Sequence, residues 1–504
     1  MLDFSTPSEA ARWLQEHVRG TLQSDSRQLR AGDGFIAWPG AASDARQHVA
    51  RALAQGAAAC LVERVGVETY DFSDPRVATY SGLKAASGPI AAAYFEQPSQ
   101  QLKLLAVTGT NGKTSSVWWL AQALSHLKQV APLPCAMVGT LGVGRPPVVQ
   151  STGLTTPDPV LLQKTLRDFV DSGVAACAIE ASSIGLAESR LQGCQIHSAI
   201  FTNFTQDHLD YHGNMEAYWQ AKVALFAWPG LRSAVLNIDD PKGLELLASL
   251  DATALDVWSV SCVGPARLQA CDISHEPQGL RFTVRERGAE GHLLQTGLIG
   301  LYNVSNLLGV LATMRSIGVP LAAAVDACAA LAPVPGRMQF AGASGQTLVA
   351  VDYAHTPDAL AQALLALRSV SRQRGGQLWC VFGCGGDRDA AKRPLMGAMA
   401  ARHADQLVLT SDNPRSEKPE AIISQILLGC TGQPPRIVEP DRALAIAQTL
   451  AQAAPEDVVL LAGKGHEDYQ EVAGRRLPFS DLQQVHRLQG KPLAQRIAGE
   501  VAHG

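Results

Sequence analysis

One stretch, LKLLAVTGTNGKTSSVWWLAQALSHL at 102–127, limits the folds open to this chain more than any other. It opens on an apolar run of strand type, breaks at two glycines, and continues from Lys113 as a helix. Strand, glycine turn and helix in that order form a corner of a parallel α/β sheet. At such a corner the N–H groups of Gly109, Thr110, Asn111, Gly112, Lys113 and Thr114 can wrap phosphate oxygens at the positive end of the helix. Lys113 then faces the β- and γ-phosphates and the Thr114 hydroxyl reaches Mg²⁺. The usual phosphate-loop pattern asks for glycine where Val107 stands. The plainer alternative is a structural corner with a surface lysine.

The same alternation governs most of the chain. GVAACAIEAS and SAVLNIDDP each follow a helical stretch, and TLVAVDYAHTP, QLWCVFGCGGDRD, ADQLVLTSDNP and EDVVLLAGKGHE are further apolar strands that end in polar loops. This rhythm predicts an α/β protein with parallel sheets. LRFTVRER, within 251–300, reads as a small antiparallel excursion. At about 150 residues per domain, 504 residues predict three. The polar EQPSQQ and the proline-rich LAPVPGRMQF divide the chain at 1–98, 99–335 and 336–504. The last two are expected to be a central phosphate-loop domain on a parallel sheet and a C-terminal Rossmann-like domain.

Composition narrows the function. With 42 basic and 46 acidic residues, a formal charge of −4 and no basic stripe, the chain is not expected to bind nucleic acid. No apolar run reaches the ~18 residues of a membrane span, and the N-terminus lacks a signal-peptide layout, so a cytoplasmic protein without a membrane partner is expected. Ten irregularly spaced cysteines without paired CxxC motifs read as buried, reduced thiols.

Ligands of open α/β sheets bind beyond the C-terminal strand ends, so the polar residues placed there are the candidates. ACAIEASS brings Glu180, able to hold Mg²⁺ directly or through water, and FTNFTQDHLDYHG brings His208 as a second ligand. Taken alone, each could equally be a helix cap or a surface histidine.

The motifs TGTNGKT, STGLTTPD, EASS, FTNFTQDHLDYH, YWQAKVALF, LYNVSNLLG, PGRM, VDYAHTPDAL, GCGGDRDAAKRP, SDNPR and AGKGHEDYQ, in this order from about 24 to 482, resemble those of the Mur ligases of peptidoglycan synthesis. In that family a glycine-poor loop is normal. The resemblance implies a three-domain architecture whose N-terminal domain binds a UDP-linked substrate. It also implies an ATP-driven reaction that adds meso-2,6-diaminopimelate to UDP-N-acetylmuramoyl-L-alanyl-D-glutamate through an acyl phosphate. Lys113, Glu180, His208 and Lys222 take the catalytic roles, with Lys222 carrying a carbamate. Thr114, Glu180, His208 and Lys222 would surround Mg²⁺. The resemblance assigns Asn306, Arg337, Asp352 and His355 to ATP beside the loop itself, and Ser26, Thr155, Thr156, Ser182, Arg190 and Lys222 to the UDP-dipeptide.

Diaminopimelate is lysine with a further carboxylate, so its site needs a planar cation and an acceptor for the distal ammonium. On the family pattern Arg415, in SDNPR, supplies the cation, Glu467 and the Gly463 carbonyl supply the acceptor, and Arg388 and Asn413 hold the other end, flanked by Asp412 and Pro414. Ile184, Glu188, Ala41 and Ala42 depart from residues frequent in the family. The expected partners are small molecules only, acting on a monomer. Folylpolyglutamate-type ligation, lysine addition and a non-catalytic nucleotide-binding scaffold are the competing readings.

Overall fold

The computed structural model describes residues 1–40, 43–128, 130–276, 279–342 and 345–490. Ala41 and Ala42 lie outside the described residues. Three α/β sheets follow one another along the chain. The first has five parallel strands in the order Leu2–Phe4, Val77–Tyr80, Ala59–Glu63, Gly34–Ala37, Leu22–Gln23. The second has eleven strands, with Lys103–Thr108 between Ala176–Glu180 and Ile196–Phe201. The third has six, centred on Leu348–Asp352, Val458–Ala462, Leu378–Phe382 and Gln406–Leu409, all parallel.

The unbroken apolar run at Lys103–Thr108 follows from its position. Leu105 and Val107 point into one core, with Val117, Leu120 and Leu124 of the helix Lys113–Ser125 and Leu307 and Leu311 of Tyr302–Ser316. Leu104 and Ala106 point into another, with Leu162, Leu166, Trp219 and Phe226. A strand covered on both faces has no polar side to show. Val107 is fully buried and pairs in register with Glu180 and Ile200, so the position the usual pattern reserves for glycine is a core strand residue here.

The antiparallel excursion is present and larger than the sequence indicated. Leu268–Glu276, Gly279–Glu286 and His292–Thr296 extend one edge of the central sheet, and Gly142–Arg145 and Val148–Gln150 extend the other. Leu268–Glu276 and Gly279–Glu286 are nine and eight residues long, whereas Gly142–Arg145 and Val148–Gln150 at the other margin have four and three, too few to carry an alternation signal.

In the third sheet a buried ion pair holds two strand ends together. Arg442 donates from Nε and Nη2 to the two carboxylate oxygens of Asp481 at 2.7 Å each, both side chains being fully buried. Its remaining N–H groups reach the carbonyls of Ser411, the first residue of SDNPR just past the strand Gln406–Leu409, and of Ala462, the last residue of the strand before GKGHE. Removing one member strands the other charge. Arg442→Met should therefore cost about 3–5 kcal/mol in urea unfolding, and Arg442→Met with Asp481→Leu should recover most of that loss.

Candidate active site

The helix Lys113–Ser125 begins at Gly112 with no side-chain cap, so its first N–H groups are free to meet an anion. Backbone conformation and crowding both demand glycine in the loop before it. Gly109 and Gly112 have φ of +142° and +87°, and a Cβ on them would lie 1.9 Å from Thr202 Oγ1 and 2.3 Å from Asn306 Oδ1. The loop is held from outside by FTNFTQDH. Asn203 accepts from the Thr110 and Asn111 N–H groups at 2.8 Å, Thr202 Oγ1 donates to the Asn111 carbonyl at 2.6 Å, and the Thr110 hydroxyl reaches the Thr205 carbonyl at 3.0 Å.

Around this turn lies a cavity of about 240 Å³ lined by Thr110 to Ser115, Glu180, His208, Asn306, Arg337, Asp352 and His355, with Thr155 and Ser182 on its wall. Lys113 Nζ donates to the Gly109 and Thr110 carbonyls, and burial pushes its ammonium below the usual lysine range. Glu180 is almost fully buried and accepts from Thr140 at 2.8 Å through N–H and 3.2 Å through Oγ1. Arg337 crosses from the 330–338 connection to donate to Thr114 Oγ1 at 3.1 Å while stacking on Tyr353. Asp352 accepts from the N–H groups of Met338 and Ala354, which ties the third sheet to that connection, and burial raises its carboxyl.

Burial pushes the His208 imidazole down to about 4, leaving a neutral ring with a lone pair. Lys222 is placed differently. It is 1% exposed, sits behind the loop rather than on the cavity wall, donates to the Gly109 carbonyl at 2.7 Å and lies over the Tyr218 ring. Burial, reinforced by Lys113, holds its amine well below the ordinary lysine value.

A second cavity, also about 240 Å³, is lined by Arg388, Asp412, Asn413, Arg415, Gly463 and Glu467 of the third sheet's loops. Pro414 is buried outside that wall, where its carbonyl accepts from Glu417 N–H. Arg415 gives Nη1 to the Gly386 carbonyl at 2.7 Å and faces Glu471 at 3.4 Å, which leaves part of its fork free. Asp207, His208, Tyr353 and His355 line both cavities.

Of the residues expected at the UDP-dipeptide, Thr156 donates to the Glu180 carbonyl and meets Ser182 Oγ at 2.9 Å, while Arg190 donates to the Thr156 carbonyl. Ser26 is buried in the N-terminal unit and lines neither cavity. Glu188 pairs with Lys84 at 2.6 Å and accepts from the Tyr211 hydroxyl, so this departure joins the first unit to the second. Ile184 belongs to the short helix Ser183–Ala187.

Sequence reasoning passed over Asp207, Tyr353 and Lys464. Burial opposes ionisation of Asp207, but His355, His208 and Lys392 beside it outweigh burial and hold its carboxyl far below the usual range. Tyr353 lies between Arg337, His355 and His466. Each of the three adjoins a residue that was noticed, which is the signal that could have found them. His208 and Arg415 both adopt left-handed backbone conformations, at φ +53° and +51°.

Two family models match the chain: the Mur ligase middle domain at 107–314 and the Mur ligase, glutamate ligase domain at 336–465. The UDP-N-acetylmuramoyl-L-alanyl-D-glutamate--2,6-diaminopimelate ligase of Acidovorax sp. (strain JS42) is 63% identical over 482 residues, 95% of this chain and 96% of that protein. The like-named protein of Janthinobacterium sp. (strain Marseille) is 48% identical over 485 residues, 93% of this chain and 94% of that protein. A solved structure of a UDP-N-acetylmuramoyl-L-alanyl-D-glutamate--2,6-diaminopimelate ligase superposes with a TM-score of 0.63 at 36% identity, covering 93% of this chain and 94% of that one.

A second buried arginine clamps the Arg388 loop. Arg393, buried, binds both oxygens of Glu417 at 2.8 Å and the Gly385 carbonyl at 3.1 Å, while Glu417 also accepts from Asp387 N–H. The Arg393 hydrogen bond holds the Glu417 carboxyl at about 2, against 4.5 ordinarily. A depressed carboxyl stabilises the fold above its unfolded value and ceases to do so as pH falls through its folded value. Glu417→Gln should therefore lower the melting temperature at pH 7, and its difference from the wild type should shrink as pH falls from about 4.5 towards 2.

Proposed function

The chain belongs to the Mur ligase family, and from that premise we propose that it joins meso-2,6-diaminopimelate to the D-glutamate carboxyl of UDP-N-acetylmuramoyl-L-alanyl-D-glutamate at the expense of ATP. One observation carries this reading: the cavity around the phosphate loop and the cavity around Arg415 share a wall of Asp207, His208, Tyr353 and His355. A carboxyl activated in the first therefore stands next to an amine held in the second.

A carboxylate is a poor electrophile at neutral pH. Transfer of the γ-phosphoryl group makes a P–O bond to a carboxylate oxygen, breaks the P–O bond to ADP and turns that oxygen into part of a phosphate leaving group on the acyl carbon. Lys113 and the uncapped N–H groups of its helix offset the phosphate charge during that transfer. The substrate amine then attacks the acyl carbon, loses its proton, and phosphate departs from the tetrahedral adduct. Arg337, contacting Thr114 from the connection between the second and third units, fixes the geometry in which both groups meet.

Mg²⁺ and a carbamate on Lys222 are part of this proposal. Thr114 and Glu180 present hard oxygen donors on one cavity wall, with the neutral His208 ring beside them. When bound, Mg²⁺ would neutralise phosphate charge there. Burial holds the Lys222 amine well below the ordinary lysine value, which favours the uncharged form that can add to CO₂. Residues 1–98, 99–335 and 336–504 are read as the UDP-substrate, ATP and amino-acid domains of a monomeric, cytoplasmic enzyme. Among the described residues no helix is long and apolar enough to cross a membrane.

Arg415 favours diaminopimelate over lysine, because its guanidinium lines the pocket and lysine brings no second carboxylate to meet it. The direct test supplies the purified protein with ATP, Mg²⁺, the UDP-dipeptide and a panel of amino acids, and follows the UDP-linked product by mass spectrometry. A heavier UDP-peptide is expected with diaminopimelate alone; ATP hydrolysis without the other two substrates would contradict the reading. Lys113→Ala should abolish turnover. Arg415→Ala should raise the KM for diaminopimelate by roughly tenfold or more, with that for ATP changed little. Lys222→Ala should be inactive and partly restored by short carboxylates.

A further inference from the structure

Lys464 has no role in the reaction as described so far, yet its side chain is wholly buried against the second cavity. Its Nζ donates to Glu467 Oε2 at 3.0 Å and to Asn413 Oδ1 at 3.1 Å. Asn413 Nδ2 donates in turn to the same Glu467 oxygen at 2.8 Å, and Glu471 N–H donates to Asn413 Oδ1 at 2.9 Å. Lysine, asparagine and glutamate thus close a ring of hydrogen bonds. The ring fixes which way the Asn413 amide faces, since its oxygen already accepts two donors.

The asymmetry at Glu467 is informative. Both donors converge on Oε2, while among the described residues Oε1 and the Gly463 carbonyl receive no hydrogen bond. Both belong to residues on the cavity wall. A carboxylate left to rotate would offer an incoming ammonium no fixed oxygen. One locked through Oε2 presents Oε1 at a set position on a residue of the cavity wall that Gly463 also lines.

We propose that Lys464 is a positioning and specificity-determining residue that locks Glu467 through one oxygen, so that the other receives the distal ammonium of the amino-acid substrate. This rests on the reading that Glu467 and Gly463 bind that ammonium. The pocket then selects for a substrate with a second amine, as Arg415 selects for its second carboxylate. Lys464 touches no reacting atom and acts through Glu467 and Asn413.

The test compares diaminopimelate with 2-aminoheptanedioic acid, which keeps both carboxylates and the reacting amine but lacks the distal ammonium. In the wild type kcat/KM should favour diaminopimelate. In Lys464→Met that preference should fall by about tenfold or more, through KM for diaminopimelate, with KM for ATP within about twofold of wild type. Equal losses on both amino acids would overturn the proposal, because a residue needed only for folding cannot tell them apart. Should Lys464→Met fail to fold, Lys464→Met with Glu467→Gln leaves no lone buried charge and supplies the comparison. Its preference should equal that of Glu467→Gln alone, and a further drop would overturn the proposal. Failure of the underlying readings is distinguishable: if Glu467 does not hold the distal ammonium, Glu467→Gln leaves the preference at its wild-type value, and if the proposed reaction fails, the wild type extends the UDP-dipeptide with neither amino acid.

Discussion

The rest of this structure depends on a helix that starts without a cap. At Lys113 the first turn leaves its N–H groups to be met by a ligand, in a place where most helices close that end with a side chain. Such an opening is useful only if it is rigid. The sequence around it supplies rigidity from the neighbouring strand, whose loop residues Thr202, Asn203 and Thr205 bind the turn at Thr110 and Asn111. The same loop goes on to Asp207 and His208, so the element that shapes the nucleotide pocket also forms its border with the next pocket.

The third sheet repeats the arrangement with different chemistry. Its strands end at Asp352, Phe382, Leu409 and Ala462, and the loops beyond them converge on one cavity. Buried guanidinium groups organise those loops from behind: Arg442 binds the ends of two strands and Arg393 binds the loop after a third. Charges facing the substrate and charges supporting the loops are therefore separate sets. Lys464 belongs to the supporting set, although it stands one hydrogen bond from the substrate-facing one.

How much of this could be read from residues alone varied with the physics involved. The strand before Gly109 was legible because burial on two faces leaves an unbroken apolar run, and the loops after four strands were legible because polar residues gather at strand ends. Local spacing carries no record of side chains that meet across the chain. Lys464 and Asn413 are 51 positions apart, and nothing in the local pattern of either announces the pair. Lys222 was noticed through resemblance, but its position behind the loop, held by the Gly109 carbonyl and by the ring of Tyr218 one turn earlier on the same helix, could not be inferred from the motif. Glu188 read as a departure in the substrate site; its partner Lys84 explains how a carboxylate is accommodated there.

Two substrate-facing residues, His208 and Arg415, hold backbone conformations in which a side chain is a burden. Each resides where glycine would relax the chain, and each keeps a functional group instead. Selection for heat tolerance alone would favour glycine at both positions, so laboratory evolution of a hardier protein risks trading away turnover at these turns.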